Sequence, residues 1–87
     1  MAIDALQLTH VARIALAAVS VSEAVRELRR TMPGLRASAV DAIDMRGETP
    51  ALSLGDRDLF LMQSDGHCWS VTCDPAQAQA VVLTQRM

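Results

Sequence analysis

The chain has 87 residues, of which 51% are hydrophobic and 21% charged, and its formal net charge is −2. This length allows one hydrophobic core and predicts a single domain over residues 1–87, while the apolar content excludes an intrinsically disordered chain. The acidic balance argues against nucleic-acid binding, and the longest apolar stretch falls far short of the ~20 residues that cross a bilayer, so we expect no membrane span.

The first predicted element is a helix from about Ala5 to Ala18. Asp4 and Gln7 have the spacing of a capping box, in which each side chain accepts a hydrogen bond from the backbone of the other residue. Apolar residues follow at helical intervals: Leu8, Val11, Ala12, Ala15, Leu16 and Val19. An alternative is that residues 14–19 form a first strand.

A second capping box, Ser20 with Glu23, predicts a second helix that ends at Pro33-Gly34. Residues 35–43 are compatible with a short strand or a short helix, and we favour the strand. Residues 45–50 are predicted to form a loop.

Three short runs rich in strand-forming residues come next: Ala51–Leu54, Asp58–Met62 and Cys68–Thr72. Turn residues separate them, and Asp65-Gly66 between apolar runs is typical of a β-hairpin because both residues tolerate a positive φ. These runs predict a three-stranded antiparallel meander, to which residues 35–43 could add a fourth strand.

Asp74 is a suitable N-cap and Pro75 suits the first turn of a helix, so a C-terminal helix is predicted to follow. In this helix Ala76, Ala80, Val81 and Thr84 would face the sheet. The predicted fold class is therefore α+β: a small antiparallel sheet with the N-terminal helices and the C-terminal helix on one face.

Phe60 and Trp69 are the only aromatic residues, so the core must consist mainly of aliphatic side chains. We predict that Trp69 is buried and anchors the meander by packing against Val71, Leu52 or Leu54, and Leu59 or Leu61. A core this small often needs a second copy or another protein to cover one of its faces.

His67 and Cys68 form the most distinctive pair of side chains, since a thiol beside an imidazole can serve as a nucleophile or a metal ligand. Neighbouring strand residues point to opposite faces, however, and zinc requires three or four convergent ligands. We therefore expect no metal and no cofactor. A small-ligand or metal-binding domain that uses His67 and Cys68 is the alternative.

Charged residues provide two further candidate binding groups. Arg26, Arg29 and Arg30 form a basic patch on the second helix, which fits an acidic protein surface better than nucleic acid. Asp41 and Asp44 could hold a divalent cation through their carboxylate oxygens if both lay on one helix face, although a solvated acidic edge is the simpler interpretation.

The two cysteines and the N-terminus bear on localisation. Cys68 and Cys73 would lie ~16 Å apart in an extended chain, too far for the Cα separation of roughly 4.4–6.8 Å that a disulfide requires. Two reduced thiols, and an N-terminus without the pattern of an export signal, predict a cytoplasmic protein.

Two short runs, Asp65-Gly66-His67-Cys68-Trp69 and Thr72-Cys73-Asp74-Pro75, carry a family resemblance. Together they resemble the C-terminal half of short uncharacterised proteobacterial proteins associated with nitrogen-fixation gene clusters. The resemblance extends weakly over residues 28–86. It implies a genomic context and assigns no catalytic or binding residue.

The chain contains no glycine-rich phosphate loop, no Gly-x-Ser-x-Gly elbow and no His-Glu-x-x-His pair. These absences predict that it is not an enzyme. We expect an interaction or accessory domain that binds a protein partner or forms a homodimer through a helix or a strand edge. In the homodimer, Arg26, Arg29 and Arg30 could face the acidic segment of residues 41–65 in the other chain.

Overall fold

The computed structural model describes residues 3–86, which form two helices and a sheet of five strands. In chain order the elements are α1 (Ala5–Ala17), α2 (Val21–Thr31), β1 (Arg36–Ala39), β2 (Leu52–Leu54), β3 (Arg57–Ser64), β4 (Trp69–Thr72) and β5 (Ala80–Gln85). Single 3-10 turns lie at Ala42–Met45 and Pro75–Gln77. The α+β class is confirmed.

The predicted capping residues begin both helices. The Gln7 backbone N–H donates to Asp4 Oδ1 at 2.7 Å, and the Asp4 N–H donates to Gln7 Oε1 at 2.9 Å, which completes the capping box of α1. Ser20 Oγ accepts from the Glu23 N–H at 3.1 Å and caps α2. The alternative of a strand over residues 14–19 is wrong, since α1 continues to Ala17.

Within residues 3–86, no helix has the length and apolar character to cross a membrane.

The sheet is mixed, with the strand order β1-β5-β3-β2 and with β4 also paired to β3. β1 runs parallel to β5, and every other pair is antiparallel. β3 has β5 on one side, while β2 and β4 share the other side because they pair with opposite ends of β3. The three predicted runs are therefore strands, but they are not arranged as a meander.

The predicted C-terminal helix is wrong. The Asp74 side chain does accept from the Ala76 N–H at 3.0 Å, but the turn that it caps ends at Gln77, and residues 80–85 form β5. Val81, Val82 and Thr84 are β-branched and favour a strand. β5 also lies between β1 and β3, where its backbone bonds to both neighbours. Of the residues expected to face the sheet from a helix, Ala80, Val81 and Thr84 are part of the sheet, and Ala76 lies in the 3-10 turn.

The two helices pack against one face of the sheet. This covered face carries Leu59 and Leu61 of β3 and Val81 and Leu83 of β5, all of them buried in one core with residues of α1 and α2 such as Val11 and Leu28. Alternation along the strands places Phe60, Val82 and Thr84 on the opposite face. The same strands therefore form both faces of the sheet, but the helices pack against only one of them.

One end of the helix-free face is nevertheless covered. Phe60 and Thr84 are only 3% and 1% exposed, although both lie on this face. Residues 40–51 connect β1 to β2 and must pass β5 and β3, which lie between those strands. The burial of Phe60 and Thr84 indicates that this connection crosses above them.

Of the ambiguous segment 35–43, residues 36–39 form the favoured strand.

Arg57 joins the sheet to the C-terminal end of α1. It is 8% exposed, and its Nη1 donates to the carbonyls of Ala15 at 2.7 Å and Ala18 at 2.6 Å, while its Nη2 donates to the Val19 carbonyl at 2.9 Å. The last carbonyls of a helix lack partners within the helix and attract positive charge. Arg57 satisfies both needs, so its buried charge has a structural role.

Candidate functional site

The end of the helix-free face that residues 40–51 do not cross is exposed around Trp69. We call this surface the open face; it carries Arg36, Ser38, Met62, Trp69, Ala80 and Val82. These residues line a shallow groove of about 290 Å³. Trp69 is 46% exposed, and the Arg36 guanidinium lies 5.8 Å from the centre of its ring, within cation–π distance.

The strand register explains how Arg36 reaches Trp69 across the sheet. Arg36 in β1 is paired with Ala80 in β5, and Ala80 is paired with Met62 in β3. Trp69 in β4 lies opposite Ser64, two residues further along β3. Because Ala80 is small, it leaves space above the sheet, and the long arginine side chain extends across that space.

The prediction that Trp69 is a buried anchor is wrong. Its partner Ser64 is an even-numbered residue of β3, on the same face as Phe60 and Met62, whereas Leu59 and Leu61 point towards the helices. The expected alternation within the strand is correct, since Trp69 and Val71 share one face. What the sequence did not reveal is which face has the helices.

His67 and Cys68 lie in the turn between β3 and β4, not at the start of the strand, and both are exposed. Asp65 Oδ1 accepts from the backbone N–H of His67 at 2.8 Å and of Cys68 at 2.9 Å. These two hydrogen bonds, chiefly the one from Cys68, lower the pKa of Asp65 below its ordinary value. Gly66 adopts a φ of +96°, which the turn requires. The Asp-Gly hairpin is thus confirmed.

The three arginines of the predicted basic patch each contact another group of the chain. Arg26 forms an ion pair with Glu23 at 3.2 Å, and Arg30 pairs with Glu27, whose pKa this hydrogen bond lowers. The Arg29 side chain extends from α2 to β1, where its Nη2 donates to the Ala37 carbonyl at 2.9 Å. The patch therefore presents less free positive charge than the sequence suggests.

Asp41 immediately precedes the first 3-10 turn and Asp44 lies within it, and both are exposed. The Asp44 N–H donates to the Asp41 carbonyl at 3.0 Å, and the Asp41 side chain caps no backbone group. Among residues 3–86, no three side chains of His, Cys, Asp or Glu are grouped so that they could hold a metal ion. The second cysteine, Cys73, is exposed and unpaired like Cys68.

Sequence reasoning missed the most distinctive pair in the structure, Arg36 with Trp69. Thirty-three positions separate these residues in the chain, and β5 and β3 lie between their strands in the sheet. No local spacing rule links two such positions. The sequence of β3 does not distinguish its faces either, because residues 59–62 are four consecutive apolar residues, Leu-Phe-Leu-Met.

Comparison with known proteins adds no assignment, because no family model, curated protein or solved structure matches the chain. The resemblance to proteins of nitrogen-fixation gene clusters stays a prediction.

Proposed function

We propose that the chain is a small non-catalytic interaction domain that binds a protein through its open face. The observation that carries this proposal is Trp69, the only tryptophan, which leaves 46% of its surface exposed beside Arg36. Tryptophan and arginine are among the residue types that most often dominate the binding energy of protein interfaces. A tryptophan also loses little conformational entropy when a partner covers it, because its side chain has only two rotatable bonds.

The form of the groove supports a protein partner over a small molecule. Met62, Ala80 and Val82 provide apolar surface, and Arg36 and Ser38 add polar groups. An apolar centre with a polar rim is the usual organisation of a protein interface. Pockets for small molecules enclose most of their ligand within ~300–1,000 Å³, whereas this groove of about 290 Å³ is open at the surface of the sheet.

The candidate binding groups predicted from the sequence are less suitable for binding a partner than the open face. Arg26 and Arg30 are paired within α2, and Arg29 is bonded to the backbone of β1. His67 and Cys68 lie on a turn stabilised by Asp65 and share no convergent set of ligands. The open face combines exposed apolar area with a favourable interface composition.

The test compares Trp69→Ala with Ile43→Ala, because Ile43 is a second exposed apolar residue, 64% exposed, and does not line the groove. Tagged protein is used to recover partners from its source cells, and each recovered protein is then titrated against the purified variants. We expect the Trp69 variant to lose binding and the Ile43 variant to retain it. With the wild-type protein, tryptophan emission should shift to shorter wavelength as the ring is covered. Equal binding by both variants would contradict the proposal.

A further inference from the structure

The outer edge of β4 has free backbone hydrogen-bonding groups. The Met62 carbonyl accepts from the Gln79 N–H at 2.7 Å, so Met62 directs its backbone groups towards β5. Val71 pairs with Met62 in β4 and must then point its own N–H and carbonyl away from β3. By alternation Trp69 does the same. Two residues of β4 therefore present donors and acceptors at this edge.

The opposite edge of the sheet is protected in a way that β4 is not. The Val40 N–H donates to the Leu83 carbonyl in β5, so the backbone groups of Val40 point towards β5. By alternation the Ala37 carbonyl points away from β5. Arg29 donates to this carbonyl from both Nε and Nη2. Natural proteins commonly block exposed strand edges with charged side chains or proline. Residues 66–73, which include β4, contain no Asp, Glu, Lys, Arg or Pro.

We infer that β4 pairs in antiparallel orientation with β4 of a second copy, about a two-fold axis at Ser70. This inference rests on the proposed function and names its partner. In this register Trp69 of one copy lies opposite Val71 of the other as a hydrogen-bonded pair, which uses the outward groups of both residues. The axis repeats the pair, so the edge is self-complementary.

The side chains favour the same arrangement. Trp69 and Val71 both lie on the open-face side of β4, so each tryptophan would pack against the valine of the other copy. Aromatic and β-branched residues are favourable cross-strand partners. Because residues 66–73 contain no Asp, Glu, Lys or Arg, two copies can approach without such side chains opposed along the paired strands. The two open faces would join into one continuous surface.

The register makes a specific prediction at Ser70. The two Ser70 residues form a non-hydrogen-bonded pair across the axis, in which the Cα atoms lie ~4.5 Å apart. This separation lies within the range of roughly 4.4–6.8 Å that a disulfide accepts. Ser70→Cys, in a background with Cys68→Ser and Cys73→Ser, should therefore link two chains on mild oxidation. Ser53→Cys in the same background is the control, since Ser53 is an exposed serine of β2.

A second pair of variants tests the edge without a crosslink. The Val71 N–H points outwards, so Val71→Pro removes a donor that β3 does not use, and Val71→Lys adds a charge at the edge. Both should remain folded and shift sedimentation from dimer to monomer, with Val71→Thr as the uncharged control that remains dimeric. Thermal melting of dilute protein establishes that each variant is folded.

The outcomes separate this inference from the proposed function. Crosslinking of Ser70→Cys but not of Ser53→Cys, together with monomeric Val71→Lys, supports the β4 pairing. A protein that stays monomeric to its solubility limit and whose Ser70→Cys variant forms no linked dimer overturns it. If such a monomer still binds another protein in a Trp69-dependent manner, the proposed function stands with a different partner. Without any Trp69-dependent partner, both fail.

Discussion

The covered face of the sheet and the open face are built on the same strands but differ in what lies above them. Leu59 and Leu61 of β3 are fully buried beneath α1 and α2, whereas Met62 in the same strand borders an exposed groove with Trp69 and Arg36. Apolar burial is the dominant favourable term in folding. Most of the stability therefore comes from the covered face, and the open face is available for binding.

The largest expected effect comes from truncating neighbouring residues of β3 that point to opposite faces. Leu61→Ala should lower the free energy of unfolding by ~2–5 kcal/mol, because it opens a cavity in the closed core. Met62→Ala should cost less than half as much, since its side chain is only partly buried. Urea denaturation of dilute protein measures both values, and similar losses would show that the two faces contribute equally.

The next effect concerns the contact between the sheet and α1. Arg57→Met should cost about 2–3 kcal/mol, because hydrogen bonds to a charged donor are lost and the carbonyls of Ala15, Ala18 and Val19 lose their partner. Arg57→Lys retains the charge but lacks the planar fork of donors, so its loss should be intermediate. Amide hydrogen exchange should accelerate first at the C-terminal end of α1. Full stability of Arg57→Met would remove the structural role assigned to this residue.

A smaller effect on folding is expected at the open face. Trp69→Ala should cost less than ~1 kcal/mol in a dilute monomer, whereas a core tryptophan would cost ~3–5 kcal/mol. The difference follows from the position of the ring, which is half-exposed and lies away from Leu59 and Leu61. Thermal and urea melts give the value, and the wild-type emission spectrum should already indicate a partly hydrated ring. A loss in the core range would show that this face is covered within the monomer.

The smallest effect is a pH dependence of the turn between β3 and β4. The N–H groups of Cys68 and His67 lower the pKa of Asp65 in the folded protein. The contribution of Asp65 to stability is therefore present above the pKa of the unfolded chain and is lost as the pH falls through the lower folded value. The carboxyl carbon shift of Asp65, followed by NMR, should titrate below the ordinary pKa of an aspartate.

Asp65→Asn is the matched control, because its amide oxygen can still accept from the turn but does not titrate. The turn resonances of this variant should be insensitive to acid over the range in which those of the wild-type protein move. Identical acid responses in both proteins would assign the change to another carboxylate.

Local interactions determined the parts of the fold that the sequence predicts well. Asp4 with Gln7 and Ser20 with Glu23 begin the helices because the bonded groups are three residues apart, independent of the rest of the chain. The positive φ of Gly66 likewise fixes the hairpin between β3 and β4 at the predicted position.

Tertiary structure alone decided β5 and the orientation of Trp69. Asp74 and Pro75 begin a turn that could have continued as a helix, but residues 80–85 bond to β1 and β3 and complete the sheet. Likewise, alternation grouped Trp69 with Val71 but could not say which face the helices would cover. Both outcomes depend on hydrogen bonds and packing between distant segments, and a strand has two faces that its own sequence does not distinguish until one of them is buried.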